Sequence, residues 1–225
     1  MNYHIGNMLI YQEFEKACEC PLCSIRSILE KRLAEQYLNE SVMEDFQRRL
    51  VNEKGFCEHH TQMMYARQNK LSLALQHTTR LTALKAKMEI TADLKIAHKM
   101  ADTFMSSNTT CVICDAVEVN MIRYYKTVAE TYCAEPRFKE ILLKTKGFCL
   151  PHFGALLKYA SFAYGKKKDY LYTLTKLQKE STESLLNDLQ WFAAKHDYRN
   201  QDKPWNGAEK ALERSIIRLH GEETK

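Results

Sequence analysis

The chain has 225 residues and a formal net charge of +5, because 33 basic side chains outnumber 28 acidic ones. A chain of this length buries a substantial core without disulfide bonds, and its mild, unsegregated charge argues against a dedicated nucleic-acid-binding protein. Seven glycines and four prolines are few for this length, which argues against a turn-rich β protein and predicts an all-α fold.

Residues 1–19 predict a short helix or arm that docks on the rest of the protein. This stretch lacks the basic and apolar regions of a secretory signal, and no apolar run in the chain approaches the roughly 20 residues that span a bilayer. We therefore expect a cytoplasmic protein without membrane contact. In a reducing compartment, the eight cysteines favour metal binding over disulfide bonds.

Apolar residues recur at helical spacing in three stretches of the first half. The first stripe consists of Ile25, Ile28, Leu29, Leu33 and Tyr37. The second consists of Val42, Phe46 and Leu50, and Gly55 ends that helix because glycine tolerates the positive φ common at helix ends. The third predicts one long helix through Leu81, Leu84, Met88, Ile96, Met100 and Phe104.

Residues 106–110 predict a polar linker, after which the same order of elements restarts. The next stripe consists of Val117, Met121, Tyr124, Val128 and Tyr132. Pro136 opens a short helix that contains Phe138, Ile141 and Leu142. A long helix follows from Tyr170 to Phe192, although its first five residues also suit a strand.

The C-terminal segment, residues 198–225, has no counterpart in the first half. It begins with a polar turn in which Trp205 is expected to act as an anchor, and it ends in a helix. The apolar face of that helix, which we expect to pack on the bundle, consists of Ala208, Ala211, Leu212, Ile216 and Leu219. The order of elements predicts an internally duplicated helical bundle, with repeats at 20–105 and 111–197 that pack together.

One seven-residue pattern occurs twice, at residues 54–60 (KGFCEHH) and 146–152 (KGFCLPH). Each copy ends in Cys-x-x-His, and each follows a Cys-x-x-Cys pair at nearly the same distance. Three thiolates and one imidazole complete the tetrahedral shell that a structural zinc ion prefers. The candidate metal ligands are Cys20, Cys23, Cys57, His60, Cys111, Cys114, Cys149 and His152.

Each set supplies four protein ligands, whereas a catalytic zinc site keeps an open position, so we predict two structural Zn²⁺ ions. An iron–sulfur centre is an alternative for such ligands. The near-equal loops between the paired motifs favour sites that close within each repeat. A swapped arrangement, which would join Cys20 and Cys23 to Cys149 and His152, stays open.

Several residues beside the motifs are not expected to be ligands. His59 corresponds to Pro151 in the second copy, so we expect an exposed histidine or one that lies beside the ligands. Lys54 and the matching lysine of the second copy could offset the negative charge of three thiolates or simply be solvated. Cys18 and Cys133 fall outside the repeated positions and are interpreted as incidental thiols.

The sequence has no phosphate-binding, dinucleotide-binding or hydrolase motif, so no enzyme class is supported. The leading interpretation is a zinc-binding helical protein that binds an unknown protein or small-molecule ligand and is not an enzyme. The alternative is a thiol and zinc redox sensor, because residues 20–23 (CPLC) resemble the CPxC of thioredoxin-like proteins, although no βαβ unit is visible. A weak nucleic-acid binder is the second alternative, with residues 166–168 as the one local basic cluster.

The paired CPxC and GFCxxH motifs, together with residues 196–200 (HDYRN) and Pro204-Trp205, are similar to those of an uncharacterised family of bacterial proteins. The resemblance covers almost the whole chain. The family is a domain of unknown function, so the resemblance implies a cytosolic, zinc-type helical protein of bacterial origin and no reaction. The second CPxC is Cys111-Val112-Ile113-Cys114 here, which changes the turn but keeps both ligands.

Overall fold

The computed structural model describes residues 5–222, so residues 1–4 of the predicted arm and 223–225 of the predicted C-terminal segment lie outside it. Within this range the chain forms eleven α-helices and no strand, which confirms the all-α prediction. In chain order they are α1 (Ile5–Phe14), α2 (Pro21–Asn39), α3 (Asp45–Lys54), α4 (Glu58–Tyr65), α5 (Lys70–Lys85), α6 (Leu94–Met105), α7 (Val112–Ala134), α8 (Pro136–Lys144), α9 (Leu150–Lys158), α10 (Lys167–Ala194) and α11 (Ala211–His220). None of these helices is both long and apolar enough to cross a membrane.

The helices form two compact units. Unit 1 contains the chain up to Ser27 and from Met121 onward, and unit 2 runs from Ile28 to Asn120. The boundaries fall inside α2 and α7. The predicted repeats follow motif order along the chain and divide it differently, and the internal duplication stays a prediction.

In unit 1, aromatic side chains fill the core between α1, α8 and the loop before α9. The ring of Phe14 lies 5.4 Å from that of Phe138 and 5.8 Å from that of Phe148. Pro136 opens α8 at a position where its missing N–H costs no helical hydrogen bond. Residues 170–174, whose pattern also suits a strand, form part of α10, and Tyr170 is completely buried there.

The turn after α10 is held by a buried lysine. Lys195 is 7% exposed, and its ammonium donates hydrogen bonds to the carbonyl oxygens of Asn200, Gln201 and Lys203 at 2.5–2.8 Å. It also lies 5.1 Å from the centre of the Trp205 ring, which packs on α10. These contacts agree with the expected role of Trp205 as an anchor.

In unit 2, the single long helix predicted through residues 81–104 is wrong, because the chain forms α5 and α6 separated by residues 86–93. The break has a local cause. The side chain of Asp93 accepts hydrogen bonds from the amides of Lys95 and Ile96, which caps a new helix start. Its own amide donates to the hydroxyl of Thr91 at 2.9 Å.

Two predicted buried faces differ from the structure. Phe46 is 63% exposed, whereas its counterpart Phe138 is fully buried, because α1 covers Phe138 and the chain supplies only one such N-terminal helix. On α11 the large apolar residues lie outward, and the buried face consists of Ala211, Ser215 and Arg218. The exposed residues of α11, each about half exposed, are Leu212, Ile216 and Leu219.

Candidate metal centres

The eight predicted ligands form two groups of four, one in each unit. Cluster 1 consists of Cys20, Cys23, Cys149 and His152, and cluster 2 consists of Cys57, His60, Cys111 and Cys114. Within each group, one ligand atom from every residue lies within 4.8 Å of all the others. The prediction that each site closes within its own repeat is therefore wrong, because each Cys-x-x-Cys pair joins the Cys-x-x-His pair of the other repeat.

Local geometry explains why the two ligands of each Cys-x-x-His pair face the same point. Cys57 and Cys149 are the N-cap residues of α4 and α9, with extended backbone angles. The histidine three residues later lies one helical turn on, so its side chain reaches back over the cap. Gly55 and Gly147 precede these corners with φ of +72° and +87°, which turns the chain into the helix start.

The loop before cluster 1 is fixed by a side chain of α10. The amide of Phe148 donates to Oε1 of Gln178 at 3.0 Å, and Nε2 of Gln178 donates to the carbonyl oxygen of Phe148 at 2.9 Å. This two-point contact anchors the backbone of the residue before Cys149. It positions a ligand although Gln178 lies far along the chain.

In cluster 1, Sγ of Cys149 lies 3.7 Å from Sγ of Cys20 and 3.6 Å from Sγ of Cys23. Nδ1 of His152 lies 3.1–3.5 Å from the three sulfur atoms. In cluster 2, the sulfur atoms of Cys57 and Cys114 are 3.7 Å apart. Nδ1 of His60 lies 3.2–3.5 Å from all three sulfurs of that cluster.

These distances test whether the residues fit a metal ion. A tetrahedral zinc ion with Zn–S near 2.3 Å and Zn–N near 2.0–2.1 Å places its sulfurs about 3.8 Å apart and its nitrogen about 3.5 Å from each sulfur. The observed separations match this shape in both clusters. Four atoms that converge this closely leave room for one ion and none for a core of several irons. The donor sets therefore fit a single metal ion each.

The electrostatics of cluster 1 favour a cation at its centre. Burial opposes ionisation of Cys20, but hydrogen bonds with Cys149, Cys23 and His152 hold its pKa well below the usual thiol range. Hydrogen bonding to Cys20 raises the pKa of Cys149 to about 12, and hydrogen bonds with Cys149 and Cys20 raise that of Cys23. One thiolate thus suppresses ionisation of its neighbours, and a bound divalent cation is the charge that would let all three ionise.

Ion pairs surround cluster 1. The carboxylate of Glu19 accepts hydrogen bonds from Lys146 and from Arg214 of α11, both at 3.0 Å. Arg218 of α11 is 4% exposed and donates to the carbonyl oxygen of Lys146 at 2.6 Å. The amide of Glu222, just beyond α11, donates to Sγ of Cys23 at 3.3 Å. The C-terminal helix therefore lies over cluster 1.

Cluster 2 has different neighbours. The buried carboxylate of Glu30 lies within 4.8 Å of ring nitrogens of His59 and His60. His59 is itself largely exposed and packs edge-on against His60, in agreement with its expected place beside the ligands. Lys54 forms an ion pair with Asp115 at 2.5 Å. The flanking lysine of each cluster thus pairs with a carboxylate.

Cys18 and Cys133 belong to neither group, and the structure describes all eight cysteines as free thiols. Sequence reasoning missed Glu19, Glu30 and Gln178, whose side chains lie around the two clusters. Glu19 directly precedes Cys20, so its position in the sequence could have indicated that it lies beside the cluster. Glu30 and Gln178 carry no local pattern and become visible only in the folded chain.

Comparison of the sequence with known proteins finds a matching family. The model of a family described as "Family of unknown function (DUF6062)" matches residues 1–225. An uncharacterized 23.9 kDa protein in the xynA 3' region of Caldicellulosiruptor sp. (strain Rt8B.4) is 20% identical over 185 residues, which cover 82% of this chain and 86% of that protein. No solved structure matches the chain. The resemblance to a family of unknown function is confirmed.

Proposed function

This chain belongs to the DUF6062 family, whose description assigns no function, and from its two clusters we propose that it is a helical protein built around two structural zinc ions. The observation that carries the proposal is the convergence of three sulfurs and one Nδ1 at tetrahedral separations in each unit. Zinc is the ion that structural sets of three cysteines and one histidine most commonly bind.

The donor sets favour a structural role over a catalytic one. Each cluster supplies four protein ligands, which leaves a tetrahedral ion no open position for water or substrate. In cluster 1 every ligand is at most 5% exposed. The ions would join chain segments that are far apart in sequence, as the Cys20 and Cys149 pair illustrates, and so would contribute to folding.

The biological role that we propose is a non-enzymatic binding or interaction module. Three apolar residues of α11 are about half exposed in one stripe, and no residue of α6 is buried. Exposed apolar surfaces of this kind commonly mark binding sites. In unit 2 a cavity of about 600 Å³ between α4 and α5, lined by Tyr65, Lys70 and His77 among others, could hold a small molecule. A reducing compartment suits the role, because metal-bound thiolates must stay reduced.

Metal analysis of the purified protein tests the proposal. Elemental analysis combined with native mass spectrometry should find two zinc ions per chain. A variant with Cys133→Ser should keep both ions, since Cys133 lies in neither cluster. Purified protein that binds no zinc when refolded with it, or that carries mainly iron with visible absorption, would contradict the proposal.

A further inference from the structure

The two clusters have the same ligands but differ in exposure. In cluster 1, Cys20, Cys23 and Cys149 are 1–3% exposed. In cluster 2, Cys111 is equally buried, but Cys57 and Cys114 are partly exposed. Two cysteines of cluster 2 are therefore more exposed to solvent than any cysteine of cluster 1.

The end of α11 accounts for the protection of cluster 1. A Cβ atom on Gly221 would lie 3.6 Å from Sγ of Cys23 and 3.7 Å from Sγ of Cys149, so this backbone rests directly on the two sulfurs. The next amide, that of Glu222, donates a hydrogen bond to Cys23. Cys23 and Cys149 hold the positions in the motifs that Cys114 and Cys57 hold in cluster 2. The matched pair is thus shielded in one cluster and partly exposed in the other.

We propose that cluster 2 is an oxidative modification site, at which a hydroperoxide such as hydrogen peroxide converts Cys57 and Cys114 into a disulfide and releases the metal ion while cluster 1 keeps its own. This inference rests on the proposed zinc binding. It assigns to one cluster a redox response that the ligand pattern alone would assign equally to both.

The chemistry balances with peroxide as the oxidant. One exposed thiolate attacks a peroxide oxygen, the O–O bond breaks, hydroxide leaves, and a sulfenic acid forms on that cysteine. The second thiolate then attacks this sulfur, the S–S bond forms, and a second hydroxide leaves. The two cysteines give up two electrons, the peroxide accepts them, and two protons from solvent turn the hydroxides into water.

Geometry selects the pair that reacts. The sulfur atoms of Cys57 and Cys114 are 3.7 Å apart, so a bond between them needs a shift of less than 2 Å from the usual S–S length of about 2.05 Å. Cys111 is 3% exposed, so the peroxide does not react with it first. Oxidation of the other two sulfurs leaves Cys111 and His60 as the remaining donors, which are too few to retain the ion.

The test uses the full chain loaded with zinc, with its stoichiometry measured by native mass spectrometry before hydrogen peroxide is added. Zinc release is followed with a colorimetric chelator, and the oxidised protein is mapped by peptide mass spectrometry. We expect one ion to be released about tenfold faster than the other or more, since thiolate reactivity follows access. The fast phase should coincide with a linkage between Cys57 and Cys114, and a thiol reductant with added zinc should restore the second ion.

A double variant, Cys18→Ser with Cys133→Ser, is the matched control because both thiols lie outside the clusters. The fast phase should be unchanged in it. Release of both ions at one rate, first oxidation in cluster 1, or loss of the fast phase in the control would each overturn the inference. A protein that binds fewer than two ions before peroxide is added would instead count against the proposed zinc binding.

Discussion

Gly147→Ala should destabilise unit 1 more than Gly55→Ala destabilises unit 2, although the two glycines hold the same place in the repeated motif. Both adopt positive φ, at which an alanine costs about 1–3 kcal/mol. An added Cβ at Gly147 would lie 2.6 Å from Oγ of Ser181 and 2.9 Å from Nη1 of Arg218. At Gly55 the nearest atom, in the side chain of Arg80, would be 3.3 Å away.

The close neighbours of Gly147 have little freedom to move. Arg218 is 4% exposed and donates to Ser181 at 2.6 Å, so displacing either side chain breaks a partly buried hydrogen bond. Overpacking of this kind adds about 1–3 kcal/mol. We therefore expect Gly147→Ala to lower the free energy of unfolding of unit 1 by about 2–6 kcal/mol, and Gly55→Ala to lower that of unit 2 by about 1–3 kcal/mol.

Denaturant unfolding separates the two effects, because both tryptophans, Trp191 and Trp205, belong to unit 1. Tryptophan fluorescence reports on unit 1, and far-ultraviolet circular dichroism reports on helix in both units. Gly147→Ala should shift the fluorescence midpoint strongly. Equal losses of stability in the two variants would refute the packing argument and leave only backbone strain.

Three further results are expected. Chelation of the metal should lower the melting temperature but leave substantial helix, because the helices also share apolar cores; an unchanged melting curve after verified metal removal would contradict this. Glu30→Gln should weaken metal binding at cluster 2 by about 10-fold or more, since a carboxylate beside a ligating histidine orients its ring; competition with a chelator would show it, and equal affinities before and after would exclude the role. Lys195→Met should cost about 1–3 kcal/mol, because it leaves backbone carbonyls near Trp205 without a donor; a wild-type fluorescence midpoint would count against it.

The members of the two clusters and the helix starts could be predicted from sequence because their signals are local. A Cys-x-x-His repeat after a glycine determines both the ligand type and a helix N-cap, and Cys57 and Cys149 occupy those caps. These features depend on residues within one or two helical turns.

The pairing of the motifs could not be predicted because it depends on packing between distant elements. Both Cys-x-x-Cys pairs lie at the starts of long helices, α2 and α7, and both Cys-x-x-His pairs lie at the starts of short helices, α4 and α9. The local motifs are therefore alike, and the near-equal loops within the repeats favoured the arrangement that the structure does not adopt. The folded chain brings Cys20 to Cys149, which an argument from loop closure within one repeat does not anticipate.

The exposure of individual side chains also could not be predicted from the helical spacing of apolar residues. Helical spacing identifies an apolar stripe but not what covers it, so Phe46 and Phe138 were expected to be equivalent. The covering helix α1 packs against Phe138. On α11 the buried face consists of Ala211, Ser215 and Arg218, whereas the apolar spacing had indicated the opposite face.

Replacement of one ligand tests the central claim, the exchange of motifs between the two clusters, most directly. In Cys149→Ser, native mass spectrometry should find that zinc falls from two ions to one, and alkylation with peptide mapping should show that Cys20 and Cys23 become reactive. Cys111 should stay as protected as in the unmodified protein. If Cys111 and its Cys-x-x-Cys partner become reactive instead, each site closes within its own repeat and the arrangement described here is contradicted.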